Sequence, residues 1–319
     1  MTAPIWLPTL ESALAAGDVG ALASIPKTDL HCHGLLSAPP AVYEQVIGHA
    51  LVPPPRRFAD FDDFSRYIVE HLWPALRELR GVRALTRGAF ERLIADGVVY
   101  AEMSFDLLLP QALGLSAAQF AAVLGEEVDR VADRVTIAPE IGVNRALPAD
   151  AVLPLAQDWI DTGVYRSIDL YGDERLGDAT AFAPVYELAA ARGLKRKAHA
   201  GELGDAASVR TALEVLGLQA IHHGVRAAED PDVMALLAAR GTVLHVCPTS
   251  NVALGICDSF DAHPVRDLLA AGVAVTVNTD DFTIFGASVC DEILTLSRMG
   301  LAADAIAAII ERGLAEAPA

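Results

Sequence analysis

The sequence predicts an α/β fold, a single (β/α)₈ TIM barrel domain that takes in residues 1–319, on three observations. Short β-rich runs alternate with longer Ala/Leu-rich amphipathic stretches, which is typical of a parallel sheet covered by helices. Eight such units favour a closed barrel over an open sheet. Histidines and aspartates recur where the predicted strands end, which is where barrels carry their functional groups.

The eight predicted strands are short and rich in apolar residues. They span residues 28–32, 98–105, 134–143, 165–170, 195–200, 219–224, 242–247 and 273–279. Amphipathic helices are predicted between them, for example at 82–96, 115–132, 149–162, 180–192, 205–217 and 229–240. The chain shows neither an internal repeat nor a low-complexity linker, so nothing divides it into two domains.

An insertion at about residues 36–80 interrupts this alternation between the first two strands. It is far longer than the usual strand-to-helix connection of about 2–6 residues. Two helical patterns, at 39–49 and 58–80, are separated by "VPPPRR" (52–57). We expect this insertion to form a lid over the C-terminal mouth of the barrel; packing against the side of the barrel is the alternative.

Composition limits the possible partners. The formal charge of −18, from 24 basic and 42 acidic residues, argues against nucleic acid, because phosphate binding relies on Lys/Arg clusters. No apolar run reaches the length of a membrane span, and "MTAPIWLPTLESALAAGDVG" lacks a basic region typical of secretory signals. The four cysteines form no CxxC motif. We expect a cytoplasmic protein that acts on a small molecule; its oligomeric state stays open.

Two histidines in "KTDLHCH" (27–33) raise the possibility of a metal site. Residues i and i+2 of a strand point to the same side, so His31 and His33 can both face the barrel mouth. His199 ends the fifth predicted strand and Asp280 follows the eighth. Three imidazoles and one carboxylate suit a divalent metal, and we expect one zinc ion per chain, with a coordination position left for water.

Acid–base groups lie near these predicted ligands. A zinc-activated water needs a base and an acid, and we assign these catalytic roles to His223, Asp280 and Glu202. A carboxyl group in a dry pocket has a raised pKa and can donate a proton, which suits Glu202. The alternative for Glu202 is a carboxylate at a helix N-terminus, stabilised by the helix dipole.

The motifs together resemble the adenosine deaminase family of the amidohydrolase superfamily. The resemblance extends through nearly the whole chain and rests on "PKTDLHCH" (26–33), "IDLYGDE" (168–174), "HAGE" (199–202), "HHGVRA" (222–227), "CPTSN" (247–251), "HP" (263–264) and "NTDD" (278–281). It implies zinc binding by His31, His33, His199 and Asp280, and hydrolytic deamination of a 6-aminopurine. It further implies that Glu202 protonates N1 of the purine, that His223 orients the nucleophile, that Asp281 contacts N7 and that the Gly172 amide contacts N3.

The sequence departs from this family after the second histidine. Family members usually continue with Leu-Asp-Gly, whose aspartate contacts the ribose 5′-hydroxyl, and here Leu35 takes the place of that aspartate. Phe282, His245 and Ser104 also replace the usual proline, glutamate and arginine. We therefore expect a substrate other than plain adenosine: a 5′-modified adenosine such as aminodeoxyfutalosine, or free or N6-substituted adenine. An adenosine deaminase that tolerates Leu35 stays open.

Two other classes of protein remain as alternatives. A metal-dependent amidase or lactonase of the superfamily usually carries a lysine on strand 4, and "YRSIDL" (165–170) has none. A non-catalytic barrel would be expected to have lost a ligand or Glu202. His49, His71 and His222 have no partner pattern, and we interpret them as structural or surface residues.

Overall fold

The computed structural model describes residues 4–318, in which eight parallel strands form one sheet in sequential order. The strands are β1 (Lys27–His33), β2 (Val98–Asp106), β3 (Thr136–Asn144), β4 (Ser167–Tyr171), β5 (Lys195–Ala200), β6 (Ala220–His223), β7 (Val243–Val246) and β8 (Ala274–Val277). The two edges meet beyond β8, where the Asp280 amide donates to the His31 carbonyl at 2.9 Å and the His33 amide to the Asp280 carbonyl at 3.4 Å. The chain is therefore a (β/α)₈ TIM barrel, as predicted.

Helices surround the barrel and account for its buried strands. Before and within the insertion lie α1 (Leu7–Ala16), α2 (Val19–Ala23), α3 (Pro40–Ile47) and α4 (Phe61–Tyr67). The remaining helices are α5 (Leu79–Ala95), α6 (Leu109–Ala112), α7 (Ala117–Asp129), α8 (Ala149–Asp161), α9 (Ala183–Ala191), α10 (Ala206–Val215), α11 (Pro231–Arg240), α12 (Pro248–Ala253), α13 (Val265–Ala270), α14 (Phe282–Phe285), α15 (Val289–Arg298) and α16 (Ala303–Glu316). Within residues 4–318, every helix is too short or too polar to cross a membrane.

The insertion is less regular than the sequence predicts. The continuous helix expected over 58–80 is wrong: α4 gives way to a π-helical turn at Ile68–Leu72 and a 3₁₀ turn at Trp73–Leu76, and α5 starts only at Leu79. Pro74 explains the change from α-helical hydrogen bonding, because proline lacks the amide hydrogen that an α-helix would pair with the carbonyl of residue 70.

The insertion contacts the barrel where the strands end. The Phe58 amide donates to the Ala253 carbonyl of α12 at 2.8 Å. The Phe64 ring stacks on Phe285 of α14 with 5.9 Å between centroids. Because α12 follows β7 and α14 follows β8, these contacts lie on the side of the barrel that carries the predicted site. That the insertion acts as a lid stays a prediction.

Candidate active site

The four predicted metal ligands converge at the carboxyl ends of β1, β5 and β8. His31 Nε2 lies 3.1 Å from His199 Nε2 and 3.7 Å from Asp280 Oδ1, and His33 Nε2 lies 3.3 Å from Asp280 Oδ1. One donor atom from each of the four residues falls within 4.8 Å of the others. Tetrahedral zinc with bonds of about 2.0–2.2 Å would separate its donors by about 3.3–3.6 Å, so these spacings suit such an ion.

The hydrogen bonds of two of these imidazoles leave Nε2 available to a metal. His199 Nδ1 lies 3.0 Å from Asp169 Oδ1, and His31 Nδ1 lies 3.4 Å from the His245 carbonyl oxygen. The Asp169 carboxylate accepts from His199 Nδ1, so His199 Nε2 presents a lone pair to the site. His31 Nδ1 lies between the His245 carbonyl and Cys247 Sγ, which is 3.3 Å away. When His31 carries its proton on Nδ1, the two Nε2 lone pairs face each other across 3.1 Å and can bind one cation. The donor set therefore fits a bound metal ion.

The backbone at two of the site residues is strained. His223 and Asp280 have φ angles of 59° and 58°, in the left-handed region that residues other than glycine rarely adopt. Such strain persists only where the surrounding structure imposes it, and it concentrates at functional sites. The conformation turns both side chains into the site: His223 Nε2 lies 3.7 Å from Asp280 Oδ2.

Helix α12 braces these two strained residues, a role that the sequence analysis did not assign. Ser250 donates a 2.6 Å hydrogen bond to Asp280 Oδ2. Asn251 Nδ2 lies 3.0 Å from His223 Nδ1, and its Oδ1 lies 3.1 Å from His263 Nε2. The His223 ring thus accepts at Nδ1 and carries its proton on Nε2, toward the site. Ser250 and Asn251 belong to the "CPTSN" motif and His263 to the "HP" motif, so the motifs already marked these residues without showing what they contact.

Glu202 is a buried carboxyl group beside His223, with Oε1 3.4 Å from His223 Nε2. Burial, followed by the negative charges of Asp280 and Glu174, raises the pKa of Glu202 well above its ordinary value, which favours the protonated form. The alternative role at a helix N-terminus does not fit, because α10 starts at Ala206 and is capped by Asp205.

The loop that carries Glu202 is fixed by another acid. Both carboxylate oxygens of Glu174 accept backbone amides, from Gly201 at 2.8 Å, Glu202 at 2.7 Å and Leu203 at 2.8 Å. Three such bonds hold the loop in one conformation and direct Glu202 toward the metal-binding residues. Glu174 ends the "IDLYGDE" motif, yet only the folded chain shows what it does.

The two residues expected to contact the purine ring also lie at strand ends. Asp281 is buried, its Oδ1 has no hydrogen-bond partner within residues 4–318, and burial raises its pKa well above the ordinary value. The raised pKa favours the protonated form of Asp281, which can donate to a ring nitrogen. Gly172, after β4, has a φ of 101°, and a Cβ there would lie 3.0 Å from Asn144 Oδ1. Only glycine suits that position.

The residues that depart from the family pattern lie in different parts of the structure. Leu35 is buried in the 3₁₀ turn Gly34–Ser37, where its carbonyl accepts a hydrogen bond from Tyr43. Phe282 packs under the Arg92 guanidinium, 4.7 Å from the ring centroid. His245 lies deeper in the barrel, its Nδ1 3.3 Å from that of His222.

One histidine interpreted as structural or surface proves to be central. His222 is fully buried, and its ring stacks on His31 with 3.8 Å between centroids and 26° between planes. The surface alternative is therefore wrong for His222. His49 is exposed and His71 is partly exposed, which agrees with their interpretation.

Comparisons with known proteins agree with this geometry. The profile of a family described as adenosine deaminase matches residues 37–317. An adenine deaminase of Rhizobium leguminosarum bv. trifolii is 31% identical over 278 residues, 84% of this chain and 86% of that protein. An aminodeoxyfutalosine deaminase of Streptomyces avermitilis is 31% identical over 300 residues, 87% of this chain and 82% of that protein. The crystal structure of an adenine deaminase from Arthrobacter aurescens superposes with a TM-score of 0.83 at 27% identity, covering 92% of this chain and 94% of the other.

Proposed function

Because this chain belongs to the adenosine deaminase family and is a hydrolytic deaminase, we propose that it is zinc-dependent and that its substrate is a 6-aminopurine, free adenine first of all. The observation that carries the proposal is the buried Glu202 carboxyl group, held 3.4 Å from His223 beside four converging donors that suit a metal, with a raised pKa that favours the acid form. An acid and a metal site together are what hydrolytic loss of ammonia from an aromatic ring requires.

His31, His33, His199 and Asp280 would hold the zinc ion. When bound, zinc lowers the pKa of water and so supplies a nucleophile near neutral pH. His223 Nε2 and Asp280 Oδ2 lie 3.7 Å apart beside these residues, so His223 would donate to the attacking water and orient it toward C6, and Asp280 would accept one of its protons.

Glu202 acts on the purine ring, whereas His223 and Asp280 act on the water. Its carboxyl proton passes to N1 of the purine, which withdraws electrons from C6 and makes that carbon open to attack. Asp281 donates to N7 and the Gly172 amide to N3, so the ring is held with C6 toward the metal. The water oxygen adds at C6, the proton that Asp280 accepted passes to the amino group, and the C6–N bond breaks to release ammonia. The remaining hydroxyl proton returns to Glu202 as the C6 carbonyl forms. Adenine thus yields hypoxanthine.

Leu35 and the relatives favour free adenine over adenosine. A buried leucine offers no acceptor to a sugar hydroxyl, and hydroxyl-bearing substrates are selected strongly only by sites that hydrogen-bond them. The second candidate is a 5′-modified adenosine such as aminodeoxyfutalosine, supported by the likeness to the Streptomyces avermitilis enzyme.

A metal-dependent amidase or lactonase is less well supported. Strand β4 (Ser167–Tyr171) contains no lysine, and the nearby Lys197 of β5 is already paired with Glu102 and Glu140. A non-catalytic barrel is also disfavoured, since the predicted ligands and Glu202 are all present and lie together.

A substrate panel tests the proposal. Zinc-loaded protein is incubated with adenine, adenosine, 2′-deoxyadenosine, AMP, 5′-substituted adenosines and N6-methyladenine, and ammonia release is followed, with Glu202→Gln as the blank. We expect the fastest turnover with adenine. Fast turnover of adenosine would contradict the interpretation of Leu35, and no ammonia from any of these compounds would contradict the proposed function.

A further inference from the structure

The barrel interior below the predicted metal ligands is filled by charged side chains, where branched apolar residues usually lie. Lys197 on β5 is fully buried, and its Nζ lies 2.5 Å from Glu140 Oε2 and 2.8 Å from Glu102 Oε2. Burying an ion pair carries a desolvation penalty that the attraction between the charges often fails to offset. Stability alone is therefore a poor explanation for this arrangement.

One end of the charged cluster reaches the backbone beside a metal ligand. Lys197 Nζ donates a 3.2 Å hydrogen bond to the carbonyl oxygen of Leu30. Leu30 directly precedes His31 on β1, so this bond holds the backbone next to the residue that carries the imidazole.

The other end reaches the imidazole rings themselves. Glu140 Oε1 lies 3.5 Å from His222 Nε2, and the His222 ring stacks on His31. Asp169 Oδ1 lies 3.7 Å from His222 Nε2 and 3.0 Å from His199 Nδ1. His222 Nε2 thus contacts both carboxylates without forming a hydrogen bond to either within residues 4–318. Glu140 is therefore separated from His31 by the His222 ring alone, and His222 also contacts the Asp169 carboxylate that holds His199.

We propose that Lys197, through the Leu30 carbonyl, and Glu140, through His222, are positioning residues that orient His31 and His199 and so raise the affinity of the site for zinc. This inference rests on the proposed zinc site. An imidazole that is already held in its binding orientation loses less freedom when the metal arrives. Removing such outer support typically lowers metal affinity by about 10- to 100-fold.

Lys195 provides a matched control on the same strand. Its Nζ contacts Glu102 Oε1 at 3.1 Å and Glu316 Oε2 at 3.0 Å. It shares Glu102 with Lys197 but lies toward the amino end of β5, away from the metal-binding histidines. If weakening any ion pair in the barrel lowers zinc affinity, substitution of either lysine will lower it. If Lys197 positions the ligands, only its substitution will.

The experiment measures zinc affinity in the full chain by competition with a chromogenic chelator, together with the absorption spectrum of the cobalt(II) form. The variant Lys197→Met/Glu140→Gln removes both charges with little change of shape. We expect it to bind zinc about 10- to 100-fold more weakly and to change the cobalt spectrum, because the ligand geometry shifts. Lys195→Met should keep the wild-type affinity and spectrum.

A folded double variant with unchanged zinc affinity and cobalt spectrum overturns the inference. If the double variant does not fold, His222→Phe decides, since it keeps the stacked ring but loses both nitrogens. Weaker zinc binding in His222→Phe supports positioning, and wild-type affinity overturns it. A wild-type chain that binds no zinc contradicts the proposed function and the inference together, whereas zinc binding unaffected by these changes contradicts the inference alone.

Discussion

The two sides of the active site are built in different ways. On one side, the metal-binding and proton-transfer groups extend from buried parallel strands and are braced by neighbours, as Ser250 braces Asp280. On the other side, the insertion consists of short helices and turns, where Val69 and Trp73 are 63% and 38% exposed. We therefore expect the strand side, called the rigid side below, to determine the reaction and the irregular side to contribute to the choice of substrate.

The largest expected effect is on the rigid side, at Glu202. Glu202→Gln keeps the shape of the side chain but removes the acidic proton, so kcat for ammonia release should fall by about 10²- to 10⁴-fold. Glu202 is not among the four converging metal donors that include His199 and Asp280, so zinc content should be unchanged. Steady-state kinetics and metal analysis of the same sample check both points. Activity of Glu202→Gln within a few-fold of wild type would contradict the role of Glu202 as the catalytic acid.

A smaller effect, on the choice between adenosine and adenine, is expected for substitution of Leu35, which follows strand β1. Leu35→Asp supplies a carboxylate for a sugar hydroxyl, and hydrogen bonds to charged groups contribute about 1.5–3 kcal/mol. The ratio of kcat/KM for adenosine to that for adenine should therefore rise by about ten-fold or more. Leu35→Asn is the control for size. An unchanged ratio in Leu35→Asp would remove the role given to Leu35.

An effect on substrate binding is expected on the irregular side at Phe64. Phe64→Ala removes the ring that stacks on Phe285 and lowers stability by about 3 kcal/mol. If the insertion closes over the substrate, KM should rise several-fold while kcat stays close to wild type. Val69→Ala, at an exposed position of the same segment, should change neither quantity. A fall in kcat with unchanged KM would place the insertion in the chemistry instead.

A last effect concerns the pH dependence of stability and not activity, on the rigid side at Glu292. Its Oε1 accepts the Thr249 amide of α12 at 3.0 Å, and burial raises its pKa from 4.5 to about 8. Between these values the folded chain holds a proton that the unfolded chain has lost, so this group makes stability fall as pH rises.

Glu292→Gln keeps an acceptor for the Thr249 amide but cannot ionise. The decrease in Tm between pH 5 and pH 8 should therefore be smaller in the variant than in wild type, as thermal unfolding at several pH values would reveal. Equal decreases in the two proteins would mean that Glu292 does not titrate in this range.

The rigid side is also the side that sequence reasoning predicted well. The alternation of strand and helix patterns placed His31, His199 and Asp280 at strand ends, and the fold brings those ends together whatever the loop details. The bracing residues were harder to assign. Glu174 acts on a loop 27 residues further along the chain, and no local pattern reports such a contact. His222 looked unpartnered because its neighbours come from other strands.

The insertion was predicted less well, for a local reason. Its hydrophobic spacing suggested one long helix, but Pro74 and the π-helical turn at Ile68–Leu72 divide the segment. The insertion also packs on the barrel through the Phe64–Phe285 contact, which joins parts of the chain more than 200 residues apart and leaves no local pattern in the sequence. Substrate preference is therefore the part of the function that the sequence predicts least.

The most direct test of the account is the rate of ammonia release from adenine by metal-free and zinc-restored protein. The account predicts that the metal-free chain is inactive and that activity returns in proportion to zinc, reaching its full value at one ion per chain. Equal rates with and without metal would contradict the assignment of His31, His33, His199 and Asp280 as the zinc ligands on which the reaction depends.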